Sequence, residues 1–165
     1  TSQCLLSYDD FNREVSRKNI LNTINVLLEN GYIPIINEND TVATEEIQFG
    51  DNDKLAALTG SLLGVDLVII ATNTHGIYTK DSFDQVEKCT IENVKDLEKL
   101  KEEIAHGKSS QGTGGMESKR QAAEILQEAG IETWIVNGLL DNFILKAIHE
   151  EVAFTRIDGV SMASF

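Results

Sequence analysis

Two hydrophobic rhythms run along the chain. The stretches "VDLVIIAT" (65–72) and "IETWIVNG" (131–138) are short, continuous and rich in β-branched residues. Runs of that kind suit strands buried on both faces of a parallel sheet. "YIPIIN" (32–37) predicts another strand. Its Pro34 is the chain's only proline and removes one ladder donor, so bent or irregular pairing is expected there. "CLLS" (4–7), "VEKCTI" (86–91) and "VAFTRI" (152–157) read as shorter strands.

Between these runs the apolar positions recur at helical spacing. Residues 8–31 predict one long helix, capped by Asp9 or Asp10 and ended by Gly31, with Ile20, Ile24, Leu27 and Leu28 as its buried stripe. Residues 53–64 predict a helix closed by Gly64. Residues 92–107 predict a charged, solvent-facing helix. Residues 117–130 predict a helix with Ala122, Ala123, Ile125, Leu126 and Ala129 inward. Residues 139–151 predict a last helix, and the polar stretch from 38 to 53 a hairpin. Alternation of strand and helix implies an α/β fold, a mainly parallel sheet sandwiched by helices. Ligands in such sheets bind beyond the carboxyl ends of the strands.

Composition narrows the functional classes. The chain has 165 residues, with 27 acidic and 14 basic side chains and a formal net charge of −13. That balance argues against a broad nucleic-acid or anionic-membrane surface, though it leaves room for a small anion held by local donors. No apolar run reaches the length of a membrane span. The two cysteines, Cys4 and Cys89, lie far apart and read as small buried hydrophobes in a reducing cytoplasm.

Three polar segments carry candidate chemistry. "GTGGMESK" (112–119) combines glycines, the hydroxyls of Thr113 and Ser118, and Lys119 ahead of a helix. Read as a loop, it gathers backbone N–H groups, a helix dipole and a mobile charge into a phosphate cradle. Its spacing is not that of a Walker A loop. In the second segment Asn37, Asn39, Asp40, Asn52 and Asp53 crowd a strand end and a helix start. One helix cap needs only Asp51 or Asn52, so the surplus suits a substrate bearing both an amino group and a carboxylate. In the third, Thr72 and Asn73 leave a strand and Gly76 permits a tight turn, while His75 reads as a solvated turn residue. His106 and His149 read as helix-surface residues, and no His/Cys cluster has metal-ligand spacing.

In this order, "PIINENDTVATEEIQFGDND", "TNTHGIYT" and "GTGGMESKRQAA" resemble the glutamate 5-kinases of the amino acid kinase family. The resemblance runs from about Gln3 to Gly138. It implies ATP-dependent phosphorylation of the γ-carboxylate of L-glutamate to glutamyl 5-phosphate, the first step of proline biosynthesis. It implies that Asp40 and Asn52, with Asn37 and Asn39 beside them, hold glutamate. Asp53 is implied to orient the catalytic lysines. Thr72 and Asn73 are implied to contact the nucleotide. Thr113, Gly114, Gly115, Met116, Glu117, Ser118 and Lys119 are implied to wrap its phosphates, with Lys119 stabilising charge on the transferring group. Mg2+ is expected to arrive with ATP, proline to act as inhibitor, and the chain to self-associate.

The sequence also departs from that pattern. The family usually carries Thr-Asp where this chain has Thr72-Asn73, and an asparagine still hydrogen-bonds. Family members open with a strand and a glycine turn bearing a lysine, then a second glycine turn with a serine, and residues 1–165 contain neither. The resemblance therefore implies a partial kinase domain over 1–165, truncated at its N-terminus, with no RNA-binding-like domain after it. Such a fragment is expected to lose central strands, to leave unpaired edges and an uncovered apolar face, and to turn over little or nothing alone. Two other readings stand beside this one. One is a family member acting on carbamate, acetylglutamate or a nucleotide monophosphate, against which the "NEND…GDND" segment argues. The other is a non-catalytic fragment that binds nucleotide or amino acid.

Overall fold

The computed structural model describes residues 1–41, 52–79, 89–98, 100 and 113–159, with the backbone alone for residues 113 and 114. The hairpin expected over 38–53 therefore lies largely outside the described residues. So do 86–88 of the strand expected at 86–91, His106, and the far end of the helix expected over 92–107.

The strands are β1 (Ser2–Leu6), β2 (Pro34–Glu38), β3 (Leu67–Thr72), β4 (Asn93–Val94), β5 (Glu132–Asn137) and β6 (Thr155–Ile157). They form two sheets, β1-β2 and β3-β5-β6-β4. The pairs β1/β2, β3/β5 and β4/β6 are parallel, and β5/β6 is antiparallel. The α/β, mainly parallel expectation is met, with β6 as the reversed strand. Pro34 pairs in regular register with Ser2. It is the first residue of β2, a position where a missing N–H interrupts little, so the expected irregularity does not arise.

The helices are α1 (Tyr8–Asn12), α2 (Glu14–Glu29), α3 (Asp53–Leu63), α4 (Thr113–Glu128) and α5 (Phe143–Ile148). The single helix expected over 8–31 is two helices, broken where Arg13 takes extended backbone at φ −104°, ψ 124°. Helical phase explains the break. Phe11 and Ile20 are nine positions apart, which on one straight helix sets them about 180° apart. Both are buried in one cluster with Ile24 and Leu55, which a continuous helix cannot achieve. Ser7, not Asp9, opens α1, and the Asp10 carboxylate accepts hydrogen bonds from the Ser7 N–H at 2.9 Å and its hydroxyl at 2.7 Å. The stripe on α2 is narrower than its spacing suggests, since Leu28 is 52% exposed.

Other boundaries also shift. Asn93 and Val94 pair with Arg156 and Ile157, so the segment expected as helix from 92 begins as a strand. Helix α4 begins at Thr113, earlier than expected, while Ala129 lies beyond its end and is exposed. The last helix is short. Asn142, at φ 56°, starts it, and Glu150, at φ 57°, follows it. Cys4 is half-buried and Cys89 exposed, so neither is the buried hydrophobe expected.

Helix α3 ties the two sheets together. Its Ala57 joins Ile70, Ile135, Ile157, Ala122, Ala123 and Leu126 in the core between the four-stranded sheet and α4. Its Leu55 joins the α1/α2 cluster, against which Leu6 and Ile36 of the small sheet pack. The other face of the large sheet packs Trp134, Val136 and Phe154 against Ala147 and Phe143 of α5. Helices thus cover both faces of the larger sheet. On the smaller one Leu5 and Ile35 remain 46% and 54% exposed, the uncovered apolar face expected.

Gly60 sets how closely α3 approaches its neighbours. A Cβ there would lie 2.8 Å from Val68 Cγ2 and 3.4 Å from Leu126 Cδ2. Gly60→Ala is therefore expected to destabilise the chain by about 1–3 kcal/mol in urea unfolding, although alanine is the better helix former. A gain in stability would contradict this packing. Ser7→Ala is expected to cost about 1 kcal/mol at neutral pH. The Ser7 N–H, and next its hydroxyl, hold the Asp10 carboxyl below the usual carboxylate range. A depressed folded pKa stabilises at pH above the ordinary carboxylate value and loses that stabilisation as acid titrates the folded carboxyl. The stability gap between wild type and Asp10→Asn is therefore expected to shrink on acidification below the ordinary carboxylate range.

Candidate functional site

Helices α3 and α4 both begin at the carboxyl edge of the sheets. Seven residues after Asp53, Gly60 meets Leu126, which lies seven after Lys119, so the two helices run side by side in the same direction. Their opening turns therefore bring side chains to one place. Asp53 is the first residue of α3. Its Oδ2 accepts hydrogen bonds from Lys119 Nζ at 2.8 Å and from Ser118 Oγ at 3.2 Å. The Lys119 and Asp53 side chains are only 12% and 13% exposed. Asn52, just before the helix, donates from Nδ2 to Asn37 Oδ1 on β2 at 2.8 Å. Three segments far apart in sequence thus supply two adjacent polar groups, Asn37 with Asn52 and Asp53 with Ser118 and Lys119, joined where Asn52 precedes Asp53 in the chain.

The other candidates have local partners of their own. Asn39 is held by its own backbone N–H on Leu6 O at 2.8 Å and accepts from Thr41 Oγ1 at 2.6 Å. Asp40 is exposed. Thr72 ends β3 and Asn73 follows it, and a long 3.5 Å contact joins their side chains. The 112–119 segment differs from the loop expected of it, because residues 113 to 119 are the first two turns of α4. Gly115 does not take a positive φ, and a Cβ there would meet nothing within 4 Å. The donors a helix start offers an anion are its first N–H groups, and no described residue crowds Gly115. The Met116 side chain is partly buried and packs against the core. Glu117 is taken by Arg120, whose Nη2 and Nε donate to it at 2.6 and 2.9 Å, and by Gln121 at 3.2 Å.

Arg120 is buried between Glu117 and Glu124. Hydrogen bonding to Glu117 is the first cause holding its guanidinium well above the ordinary arginine value. The network fastens the α4 start without adding charge to Lys119's partner. Chemically, the cluster offers a cation beside a carboxylate that fixes its position, two amides for a polar ligand, and helix-start N–H groups for an anion.

Sequence reasoning missed Asn137. It is 8% exposed, accepts from the Leu139 N–H at 3.0 Å, and its Nδ2 lies 3.5 Å from His75 Nε2. The available signal was an asparagine closing an apolar run directly before a glycine, at the same sheet edge.

A model of the amino acid kinase family matches residues 1–137. The glutamate 5-kinase of Alkaliphilus metalliredigens (strain QYMF) is 43% identical over 148 residues, covering 89% of this chain and 56% of that protein. The glutamate 5-kinase of Vibrio vulnificus (strain YJ016) is 42% identical over 155 residues, covering 93% of this chain and 41% of that protein. The chain thus spans about half the length of the curated relatives it matches. Among solved structures, carbamate kinase from Giardia lamblia bound to AMP-PNP superposes with a TM-score of 0.60 at 20% identity, over 84% of this chain and 48% of that one. UMP kinase from Ureaplasma parvum superposes with a TM-score of 0.58 at 18% identity, over 84% and 52%. These structural likenesses speak to fold, and the sequence match to descent: the chain belongs to the amino acid kinase family.

Proposed function

We propose that this chain carries the Lys119 phosphate site and the Asn/Asp pocket of a glutamate 5-kinase, which uses ATP to phosphorylate the γ-carboxylate of L-glutamate to glutamyl 5-phosphate, the entry to proline biosynthesis. The observation that carries the reading is the Lys119–Asp53 pair joined through adjacent Asn52 to Asn37. Phosphoryl transfer asks a protein mainly to position reactants and neutralise charge. Lys119 is the group that meets the transferring phosphoryl. Asp53 holds that ammonium in place before the reaction. Asp40 and Asn52, with Asn37 and Asn39, take glutamate, and Thr72, Asn73 and residues 113–119 take ATP.

Among the described residues, no three His, Cys, Asp or Glu side chains gather as a metal site, and one Asp53 oxygen already receives Lys119 and Ser118. The Mg2+ expected with ATP is proposed to arrive on the nucleotide phosphates. Proline inhibition is proposed at the glutamate pocket, and self-association of the chain is proposed alongside it. No helix among the described residues is long and apolar enough to cross a membrane, and a cytoplasmic enzyme acting on small molecules is the reading proposed.

Trapping the acyl phosphate with hydroxylamine tests the proposal. Lys119→Ala is expected to lower turnover by about 10^2–10^3 with an unchanged circular dichroism spectrum. Near-normal turnover in that variant would remove Lys119 from the chemistry. If the chain itself turns over too little to read, ATP titration of wild type and Lys119→Ala takes the place of turnover, and equal affinity in the two would contradict the proposal.

A further inference from the structure

Between α5 and β6 the chain turns back toward the large sheet, and a hollow of about 330 Å3 opens there. Glu92, Asn93, Glu150, Val152, Phe154 and Arg156 line it. Arg156 pairs across the sheet from Trp134, so both point to the face that packs on α5, opposite the core shared with α4. The hollow is thus separate from the Lys119 edge.

The Arg156 guanidinium is held in place without being satisfied. Its Nε is buried and has no hydrogen-bond partner among the described residues. Glu132 Oε1 lies 3.1 Å away, yet that oxygen already accepts from Trp134 Nε1 and stands out of line with the Nε–H. Nη2 is 3.9 Å from Glu150 Oε1, too far for a hydrogen bond. What fixes the side chain is stacking, with Cζ 5.1 Å from the Trp134 ring centroid and 5.7 Å from that of Phe154. The fork is pre-placed, and its Nη donors face the hollow. Across from it Glu150 takes the left-handed conformation at φ 57°, which strains a residue with a Cβ. A strained residue that carries a carboxylate into a cavity, opposite an open guanidinium, points to a ligand.

The charges define that ligand. A guanidinium fork suits a carboxylate or a phosphate. Glu92 and Glu150 flank it, and they repel a phosphate dianion but attract an ammonium group. Val152 and Phe154 add an apolar wall. We propose that this hollow binds a free α-amino acid with a small apolar side chain, its carboxylate on Arg156, its ammonium between Glu150 and Glu92, and its side chain against Val152 and Phe154. The site is distinct from the pocket proposed for glutamate and does not depend on the kinase reading.

Trp134 is the chain's only tryptophan, so its fluorescence and its indole N–H resonance report on this site. Titration of the wild-type chain with L-valine is expected to change both saturably. Isobutyrate and isobutylamine, each carrying one of the two charges, and inorganic phosphate are expected to bind at least about tenfold more weakly. Arg156→Gln is expected to lose about tenfold in L-valine affinity. Glu150→Gly is expected to lose about threefold while its melting temperature rises, because glycine relieves the left-handed backbone. A merely structural Glu150 would leave affinity unchanged. The proposal is overturned if L-valine moves neither Trp134 signal, if phosphate binds more tightly than L-valine, or if Glu150→Gly binds L-valine as wild type does. Should Arg156→Gln fail to fold, the wild-type ligand series and Glu150→Gly decide the matter.

Discussion

One ion pair organises the functional edge of this molecule. Lys119 and Asp53 lie in the opening turns of two helices that run side by side, and both side chains are nearly withdrawn from water. A carboxylate at the first residue of α3 is favoured by that helix's dipole, whereas an ammonium near the start of α4 is not. Pairing them resolves the conflict. Burying either charge alone would be costly, so the geometry of each helix start constrains the other. Gly60 and Leu126, one turn pair further along, hold the helices at the spacing that lets the pair close. Packing and electrostatics therefore specify the same arrangement.

Helix α3 extends that constraint across the fold. It shares one residue with each of two cores, Ala57 with the large sheet and Leu55 with the small one. The amide link from Asn52 to Asn37 then brings the small sheet to the same edge. The residues proposed to take an amino acid and those proposed to take phosphate are thus adjacent because one helix belongs to both layers.

Much of this was legible in the sequence. The apolar runs at 65–72 and 131–138 became β3 and β5, and the spacing through Ala122, Ala123 and Leu126 marked the buried face of α4. Asp53, Asn52, Asn37, Ser118 and Lys119 were singled out from composition at strand ends and helix starts, and they meet. The break at Arg13 was hidden because local spacing cannot show that Phe11 and Ile20 must face one core. The helical form of residues 113–119 was hidden because glycines permit a turn without requiring one. Strand β4 was hidden because its two residues are strand only by virtue of their partners in β6. The Asn137–His75 contact joins residues 62 apart, and Asn137 belongs to none of the segments that carry the resemblance.

The account's central claim is that the Lys119 ammonium is where a nucleotide's phosphates arrive. The direct measurement is nuclear magnetic resonance of 15N-lysine-labelled chain titrated with Mn2+·ATP, in which the paramagnetic ion broadens nearby side-chain signals. The account predicts that the Lys119 Nζ signal is lost, while Lys146 on α5, against the other face of the sheet, keeps its width. A Lys119 signal unchanged at saturating nucleotide would contradict it.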